Sequence, residues 1–311
     1  MTVRTPLRIG TRGSPLALTQ TDMARRAMLA LRPDLEIEVV AVKTVGDKVQ
    51  DRPLADLGGK GLFTRELDDA LLAGTIDLAV HSMKDVPTWL PEGILIACLF
   101  EREDPRDALI SRGPKSIAEL PPNAIVGTAS LRRQAQILHG RPDVRVVLLR
   151  GNVETRLRKV ADGTVDATLL ALAGLNRLGR ADAASAILET AEILPACAQG
   201  AVGITCRAGD AGVLDLLAAL DHGPTRAAVA AERAMLDVLD GSCRTPIAGL
   251  AEPDGKGGLT LRGLVAATDG RRIVAAADAG TAAGAEELGR RLGRRLLDDA
   301  GPGFIVHGDR I

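Results

Sequence analysis

Short apolar runs and stretches of helical spacing follow one another along most of this chain. Leu7-Arg8-Ile9 reads as a first short strand. Residues 16–31 then repeat apolar positions at helical intervals, with Ser14 placed to cap and Pro15 suited to the first helical position. That helix must stop before Pro33. A second strand is predicted over 36–42 and a second helix over 62–73, where Phe63, Leu67, Ala70 and Leu71 share a face. Ile76-Asp77-Leu78-Ala79-Val80 reads as a buried parallel strand. It turns polar at His81-Ser82-Met83-Lys84-Asp85 and stops at Pro87, whose missing N–H ends regular pairing.

The charged stretch 101–107 interrupts this series, and a new one begins beyond it. Strands are predicted over 124–126, 144–149 and 165–172. One helix opens at Leu131-Arg132-Arg133, and another contains Arg156. A further strand entry at 199–204 suggests that the chain returns there to its first domain. From Pro224 the pattern changes: Thr225 is placed to cap a helix over 226–239, strands follow over 259–266 and 272–277, and a helix over 282–300. The sum is an α/β fold with a small C-terminal α+β domain.

Composition narrows the function. The chain has 311 residues and is 46% hydrophobic, enough for two or three domains with cores of their own. The formal net charge is −1 and aromatics are 1%, which argues against a nucleic-acid binder: there is neither a general cationic field nor a set of stacking platforms. No apolar run is long enough to span a membrane, and the N-terminus lacks the core of a signal peptide, so a cytoplasmic protein is expected. Cys98, Cys197, Cys206 and Cys243 form no Cys-x-x-Cys pair and the four histidines are scattered, so neither a disulfide framework nor a metal site is expected.

The candidate chemistry lies at strand ends, where an open α/β sheet binds its ligands. Arg12, Lys43, Lys84, Arg132 with Arg133, Arg150 and Arg177 all occupy that position. Any one of them alone would be ordinary surface charge. Together, in a nearly neutral protein, they suggest one site for a polyanion, and the predominance of arginine favours carboxylates or phosphates. Cations in the first turn of a helix oppose its dipole, which suits Arg132, Arg133 and Arg156 only if an anion lies near. Gly58-Gly59-Lys60-Gly61 before a helix is a weaker signal of the same kind. Asp85 stands out as a strand-end carboxylate among these cations. It would repel an anionic ligand unless a cation develops during reaction, although a simple ion pair with Lys84 or a neighbouring arginine is the plainer reading. Cys243, in Gly241-Ser242-Cys243-Arg244, sits in an accessible-looking loop beside a cation, and spacing alone does not decide its role.

Several ordered motifs carry a resemblance. Arg8-Ile9-Gly10-Thr11-Arg12-Gly13-Ser14-Pro15, Gly58-Gly59-Lys60-Gly61-Leu62-Phe63, His81-Ser82-Met83-Lys84-Asp85-Val86-Pro87, Glu101-Arg102-Glu103-Asp104-Pro105-Arg106-Asp107, Gly127-Thr128-Ala129-Ser130-Leu131-Arg132-Arg133, Leu149-Arg150-Gly151-Asn152-Val153 and Gly241-Ser242-Cys243 resemble the porphobilinogen deaminase family, in family order. The resemblance implies three domains: 1–100 with 201–218, then 101–200, both with mixed sheets like periplasmic binding proteins, and 219–311 carrying the cofactor cysteine. It implies a monomeric transferase that condenses four porphobilinogens head to tail to hydroxymethylbilane, for haem and other tetrapyrroles, with release of ammonia. A dipyrromethane cofactor would hang by a thioether from Cys243. Asp85 would stabilise the cationic pyrrole species and handle protons. Ser82, Lys84, Thr128, Ser130, Arg132, Arg133, Arg150 and Arg156 would hold the cofactor carboxylates. Arg12, Ser14, Lys60, Arg177, Gln199 and Gly200 would serve the substrate.

Some positions depart from the family pattern. Asp56 stands where Lys is frequent, Glu154 where Gly is common, Ala198 replaces the first Gly of Gly-Gln-Gly, and Thr205 replaces a frequent Glu. The rival readings are a non-catalytic bilobal protein binding a polycarboxylate, which has no need of Cys243, and a nucleic-acid binder using the Arg-Arg step, disfavoured by charge and aromatic content.

Overall fold

The computed structural model describes residues 6–48, 61–239 and 245–304. In chain order these form β1 (Leu7–Arg12), α1 (Pro15–Leu31), β2 (Ile37–Val42), α2 (Val45–Lys48), α3 (Arg65–Leu72), β3 (Leu78–Ser82), β4 (Ile94–Leu99), β5 (Asp107–Ser111) and β6 (Ile125–Gly127). There follow α4 (Leu131–Gly140), β7 (Arg145–Val147), α5 (Val153–Ala161), β8 (Ala167–Ala171), α6 (Leu172–Arg177), β9 (Ala186–Leu188) and β10 (Val202–Arg207). The last elements are α7 (Ala211–Ala218), α8 (Gly223–Val238), β11 (Ile247–Pro253), β12 (Gly258–Ala266), β13 (Ile273–Thr281) and α9 (Ala285–Ala300).

Helix starts follow the capping residues. Ser14 Oγ accepts the Ala17 N–H at 3.3 Å at the head of α1, and Pro15 takes the first helical position. Ser130 Oγ accepts the Arg133 N–H at 3.4 Å, and Asn152 Oδ1 accepts that of Thr155 at 2.9 Å, at the heads of α4 and α5. Three expected starts move: the last helix begins at Ala285, after a 3₁₀ turn over Ala282–Gly284, and not at 282. The second helix begins at Arg65, not at 62, so Phe63 precedes it. The helix α8 begins at Gly223, so Thr225 lies inside it and does not cap it. The Thr225 hydroxyl instead accepts the Arg102 N–H at 3.0 Å and pairs with His222 Nδ1 at 2.8 Å.

The chain divides into two compact units, one of 1–49, 61–102 and 201–226, the other of 50–60, 103–200 and 227–311. In the first, the sheet order is β2-β1-β3-β10-β4; β1 runs parallel to β2 and β3, and β10 runs antiparallel to β3 and β4. The chain thus comes back at β10 to fill the gap between β3 and β4. On this sheet Ile9, Leu78, Val80, Val202, Ile204 and Met28 make one core, and Leu67, Leu71 and Ile76 make another under α3.

The second unit has two sheets. The order β7-β6-β8-β5-β9 repeats the plan of the first, with β6 parallel to β7 and β8, and β5 antiparallel to β8 and β9. The strands β11, β12 and β13 form an antiparallel meander, and Leu288, Leu292 and Leu296 of α9 pack with Ala231 and Met235 of α8 over Leu259, Leu261 and Val265. This is an α/β protein of two mixed five-stranded sheets plus a small α+β portion. Among the described residues no helix is long and apolar enough to cross a membrane, and no cluster of His, Cys, Asp and Glu could hold a metal. Cys98, Cys197 and Cys206 are buried, and burial pushes the Cys98 and Cys206 thiols up to about 12 and about 11.

Candidate active site

In the first unit, the parallel pairing of β1 with β3 brings their carboxyl ends to one sheet edge. Arg12 is the last residue of β1. Beyond Ser82, β3 passes into a single 3₁₀ turn, Met83–Asp85, which is tied down where the Met83 N–H donates to the Ala201 carbonyl at 3.0 Å. Arg12, Ser14, Gln20, Ser82, Lys84 and Asp85 line one open concavity there. The structure therefore gathers five of the expected site residues, and Gln20 with them.

The electrostatics centre on Arg12. Its Nη2 and Nε reach the two oxygens of Asp47 at 2.5 and 3.2 Å, while Nη1 lies 3.4 Å from Asp85 Oδ2. The Phe63 ring covers the guanidinium, 4.1 Å from centroid to Cζ. Burial alone would lower the Arg12 pKa, but Asp47 and Asp85 outweigh it and the net direction is up. Asp47 also accepts the Thr44 hydroxyl at 2.8 Å, and these donors hold its carboxyl below the usual range against the opposing effect of burial. Asp85 therefore has an arginine beside it, as the plainer reading allows, yet Asp47 occupies the two-pronged edge of that arginine.

Deeper in the concavity, Ser82 and the buried Gln20 form a reciprocal pair: Gln20 Nε2 to Ser82 Oγ at 2.8 Å and Ser82 Oγ to Gln20 Oε1 at 3.0 Å. Next to Ser82 on β3, His81 is buried with its Nε2 2.9 Å from Thr205 Oγ1. Burial, and then the charge of Arg12, push His81 down to about 4, so the ring is neutral near pH 7. The departure at Thr205 thus leaves a neutral hydrogen-bonded pair at that place.

The second unit holds the other cations. Asp107, the first residue of β5, is fully buried. It accepts from Arg132 Nη2 at 2.8 Å, from Arg133 Nε and Nη2 at 3.1 and 2.7 Å, and from Gln199 Nε2 at 2.7 Å. Burial favours the neutral acid, but the two guanidiniums outweigh it and hold the Asp107 carboxyl far below its ordinary value. The remaining bonds of the pair run to backbone, Arg132 Nη1 to the Leu194 carbonyl at 2.6 Å and Arg133 Nη1 to that of Leu169 at 2.8 Å. Arg132 Nε is buried with no hydrogen-bond partner. Two arginines on one carboxylate leave a net positive charge.

Around this cluster Thr128 is buried, with its Oγ1 accepting the Ser130 N–H at 3.1 Å. Arg177 Nη2 donates to the Gly200 carbonyl at 2.7 Å, and burial lowers the Arg177 pKa. Arg156 Nε donates to the Gly151 carbonyl at 2.9 Å, and Arg150 is half-buried beside it in sequence. Gly151 has φ of +121°, and a Cβ there would stand 2.8 Å from Thr155, so this loop requires glycine. Glu154 pairs with Arg180. Lys60, Cys243 and Asp56 lie outside the described residues.

Four contributors escaped the pattern of strand-end cations. Asp47 and Phe63 secure Arg12, Gln20 secures Ser82, and Asp107 gathers Arg132, Arg133 and Gln199. A signal existed for Asp107: a carboxylate directly before the apolar run Ala108-Leu109-Ile110 must be buried with partners.

Comparison with known proteins gives the family. The family model described as "Porphobilinogen deaminase, dipyromethane cofactor binding domain" matches residues 7–215, and "Porphobilinogen deaminase, C-terminal domain" matches 226–298. The chain is 53% identical to the chloroplastic porphobilinogen deaminase of Oryza sativa subsp. japonica over 305 residues, covering 96% of this chain and 85% of that one. It is 52% identical to the porphobilinogen deaminase of Syntrophobacter fumaroxidans over 293 residues, covering 94% of each. Among solved structures, a periplasmic substrate-binding protein of an ABC transporter from Coxiella burnetii aligns with a TM-score of 0.43 at 15% identity, covering 69% of this chain and 91% of that one. Two family models in sequence order, and relatives more than half identical over nearly the whole length, make the assignment: the chain belongs to the porphobilinogen deaminase family.

Proposed function

We propose that Asp85, in the first unit, is the catalytic carboxylate of the family reaction in this protein. That reaction condenses four porphobilinogens head to tail, with loss of ammonia, to hydroxymethylbilane; the chain is a transferase of tetrapyrrole biosynthesis. Loss of ammonia from porphobilinogen leaves a positively charged methylene-pyrrole, and each coupling ends with loss of a ring proton. A carboxylate fixed at a strand end can stabilise that charge and accept that proton. The single observation carrying this role is that Asp47, not Asp85, holds the paired edge of Arg12, which leaves the Asp85 carboxylate available to a developing cation.

The porphobilinogen side chains are an acetate and a propionate, and carboxylates suit the guanidinium and hydroxyl donors present. Arg12 and Ser14 are assigned to substrate in the first unit, and Ser82 and Lys84 to the cofactor. In the second, Thr128, Ser130, Arg132, Arg133, Arg150 and Arg156 are assigned to the cofactor, and Arg177, Gln199 and Gly200 to substrate. A dipyrromethane, when bound, supplies the pyrrole position to which the first substrate is joined. The donor chemistry fits such a group: Arg132 keeps a buried Nε–H without a partner, and the cluster on Asp107 retains a net positive charge for a carboxylate to balance. Cys243 is the proposed attachment point. The protein is further proposed to be a cytoplasmic monomer with domains at 1–100 plus 201–218, 101–200 and 219–311.

Intact-mass measurement tests the attachment. Protein made in cells that supply porphobilinogen should exceed its sequence mass by two pyrrole units, and Cys243→Ala should return to the sequence mass while keeping its fold by circular dichroism. A wild-type protein at its unmodified mass would remove Cys243 from the mechanism.

A further inference from the structure

The basic cluster of the second unit depends on one turn. Gln199 reaches Asp107 Oδ1 at 2.7 Å and the Pro105 carbonyl at 2.7 Å, and the neighbouring Gly200 carbonyl receives Arg177 Nη2 at 2.7 Å. Directly before them, Ala198 has φ of +60° although it carries a Cβ. An L-residue enters this left-handed region only at an energetic cost, and keeps it where the surroundings hold it there. Ala198 is also buried, so solvent cannot serve its backbone.

What holds it is Glu232 of α8, a carboxylate with 0% exposure. Its Oε2 accepts the Ala198 N–H at 2.5 Å, and its Oε1 accepts the Ala251 N–H of β11 at 2.7 Å. Burying a carboxylate is costly, and bonds from backbone amides to the charged oxygens are the strong kind that offset the cost. The fold therefore buries a carboxylate whose two oxygens each accept a backbone N–H, one of them from the left-handed residue of the turn.

We propose that Glu232 is a positioning residue for the reaction: it clamps the left-handed turn at Ala198 and thereby sets Gln199 on Asp107 and Gly200 under Arg177. The inference rests on the reading of the Asp107 cluster as part of the carboxylate site. Glu232→Gln keeps the shape but turns an amino group toward one of the two backbone N–H donors, where no hydrogen bond can form. Ala198→Gly removes the need for a clamp, because glycine takes the left-handed region without help.

The experiment compares the wild-type holoprotein with Glu232→Gln, Ala198→Gly, the double variant and Arg133→Gln. It reads kcat and KM for porphobilinogen, cofactor loading by intact mass, and amide hydrogen exchange of a peptide spanning 194–201. Glu232→Gln should speed exchange in that peptide and lower kcat/KM about tenfold to a hundredfold, as a misplaced binding group does. The double variant should recover most of both, and Ala198→Gly alone should stay near wild type. If Glu232→Gln leaves exchange and kcat/KM unchanged, or if the double variant is no better than Glu232→Gln, the clamp is overturned. A wild-type kcat/KM in Arg133→Gln overturns the cluster reading and the proposal with it. A loss in Arg133→Gln alone sinks the proposal and spares the reading. Should Glu232→Gln not fold, Glu232→Asp, which keeps an acceptor but shortens its reach, is read by the same comparisons.

Discussion

Asp85, the proposed catalytic carboxylate, makes only a weak structural ion pair. Its side chain is 30% exposed and 3.4 Å from Arg12, a pairing worth at most about 1 kcal/mol at such a site. Arg12 meanwhile keeps the shorter contacts to Asp47 whatever happens at position 85. Asp85→Asn should therefore leave the unfolding midpoint nearly unchanged. Its effect should fall on chemistry, because a lost charge facing a cationic transition state costs about 3 kcal/mol or more, on the order of a hundredfold to a thousandfold in rate. Single-turnover formation of enzyme-bound pyrrole oligomers, followed by mass, checks this, and near-normal elongation would make Asp85 an ordinary ion-pair partner. The cations of the site were legible because their type and their strand-end positions recur along the chain. Asp47, Gln20 and Phe63 were not, since each acts through a contact distant in sequence: Gln20 meets Ser82, 62 positions away. The anion that the first-turn arginines Arg132 and Arg133 seemed to require exists within the chain, as Asp107.

Among the elements, local chemistry was read correctly where it suffices by itself. Ser14 with Pro15 marks a helix start through a hydrogen bond made within three residues; Ser130 does the same at α4, where the expected helix had a start at Leu131 but no cap. Thr225 carries the same chemistry but serves Arg102, because tertiary partners compete for its hydroxyl. The strand β11 was missed: Ile247-Ala248-Gly249-Leu250-Ala251 has little β propensity and is made a strand by pairing with β12. Small residues also set how α9 meets α8. A Cβ at Gly289 would stand 2.1 Å from the Ala231 carbonyl oxygen and 2.9 Å from the Met235 nitrogen, both backbone atoms with no rotamer to yield. Gly289→Ala gains about 1 kcal/mol of helix propensity but forces the helices apart, and overpacking of this kind costs about 1–3 kcal/mol. We expect a net loss of stability, seen as a lower urea midpoint. Gly140→Ala, at the end of α4 with nothing within 4 Å of the added methyl, should be neutral or slightly stabilising. Equal midpoints for the two variants would mean that the α8–α9 spacing tolerates a methyl group.

For the whole molecule, alternating strand and helix patterns made the α/β class legible, and the break in pattern near Pro224 announced the α+β portion. Sheet order was not legible, because it depends on β10 and β5 entering antiparallel between strands far from them in sequence. Stability toward acid is likewise a property of distant groups acting together. Burial lowers His81 from 6.5 to about 4 and raises Asp68 from 3.8 to about 6. Above pH 6.5 His81 is neutral in both folded and unfolded chains. As pH falls from 6.5 to 4 the unfolded chain alone takes the proton there, so stability is lost, by about 3 kcal/mol in all. Asp68 has the opposite sign. Between pH 6 and 3.8 its folded carboxyl is protonated before the unfolded one, so acidification returns stability of about the same size. The two slopes oppose each other over one window, so the joint contribution of His81 and Asp68 to the wild-type midpoint should change little between pH 6.5 and about 4.5. Asp68→Asn should expose the His81 slope, with more stability than wild type at pH 7 and a steep decline toward pH 4.5. His81→Gln, which can still hydrogen-bond Thr205, should gain stability over the same interval as Asp68 acts unopposed. Urea unfolding of both variants and their double across this range checks the pairing, with the double flat. Parallel pH profiles for the two single variants would show that burial does not split these groups in opposite directions.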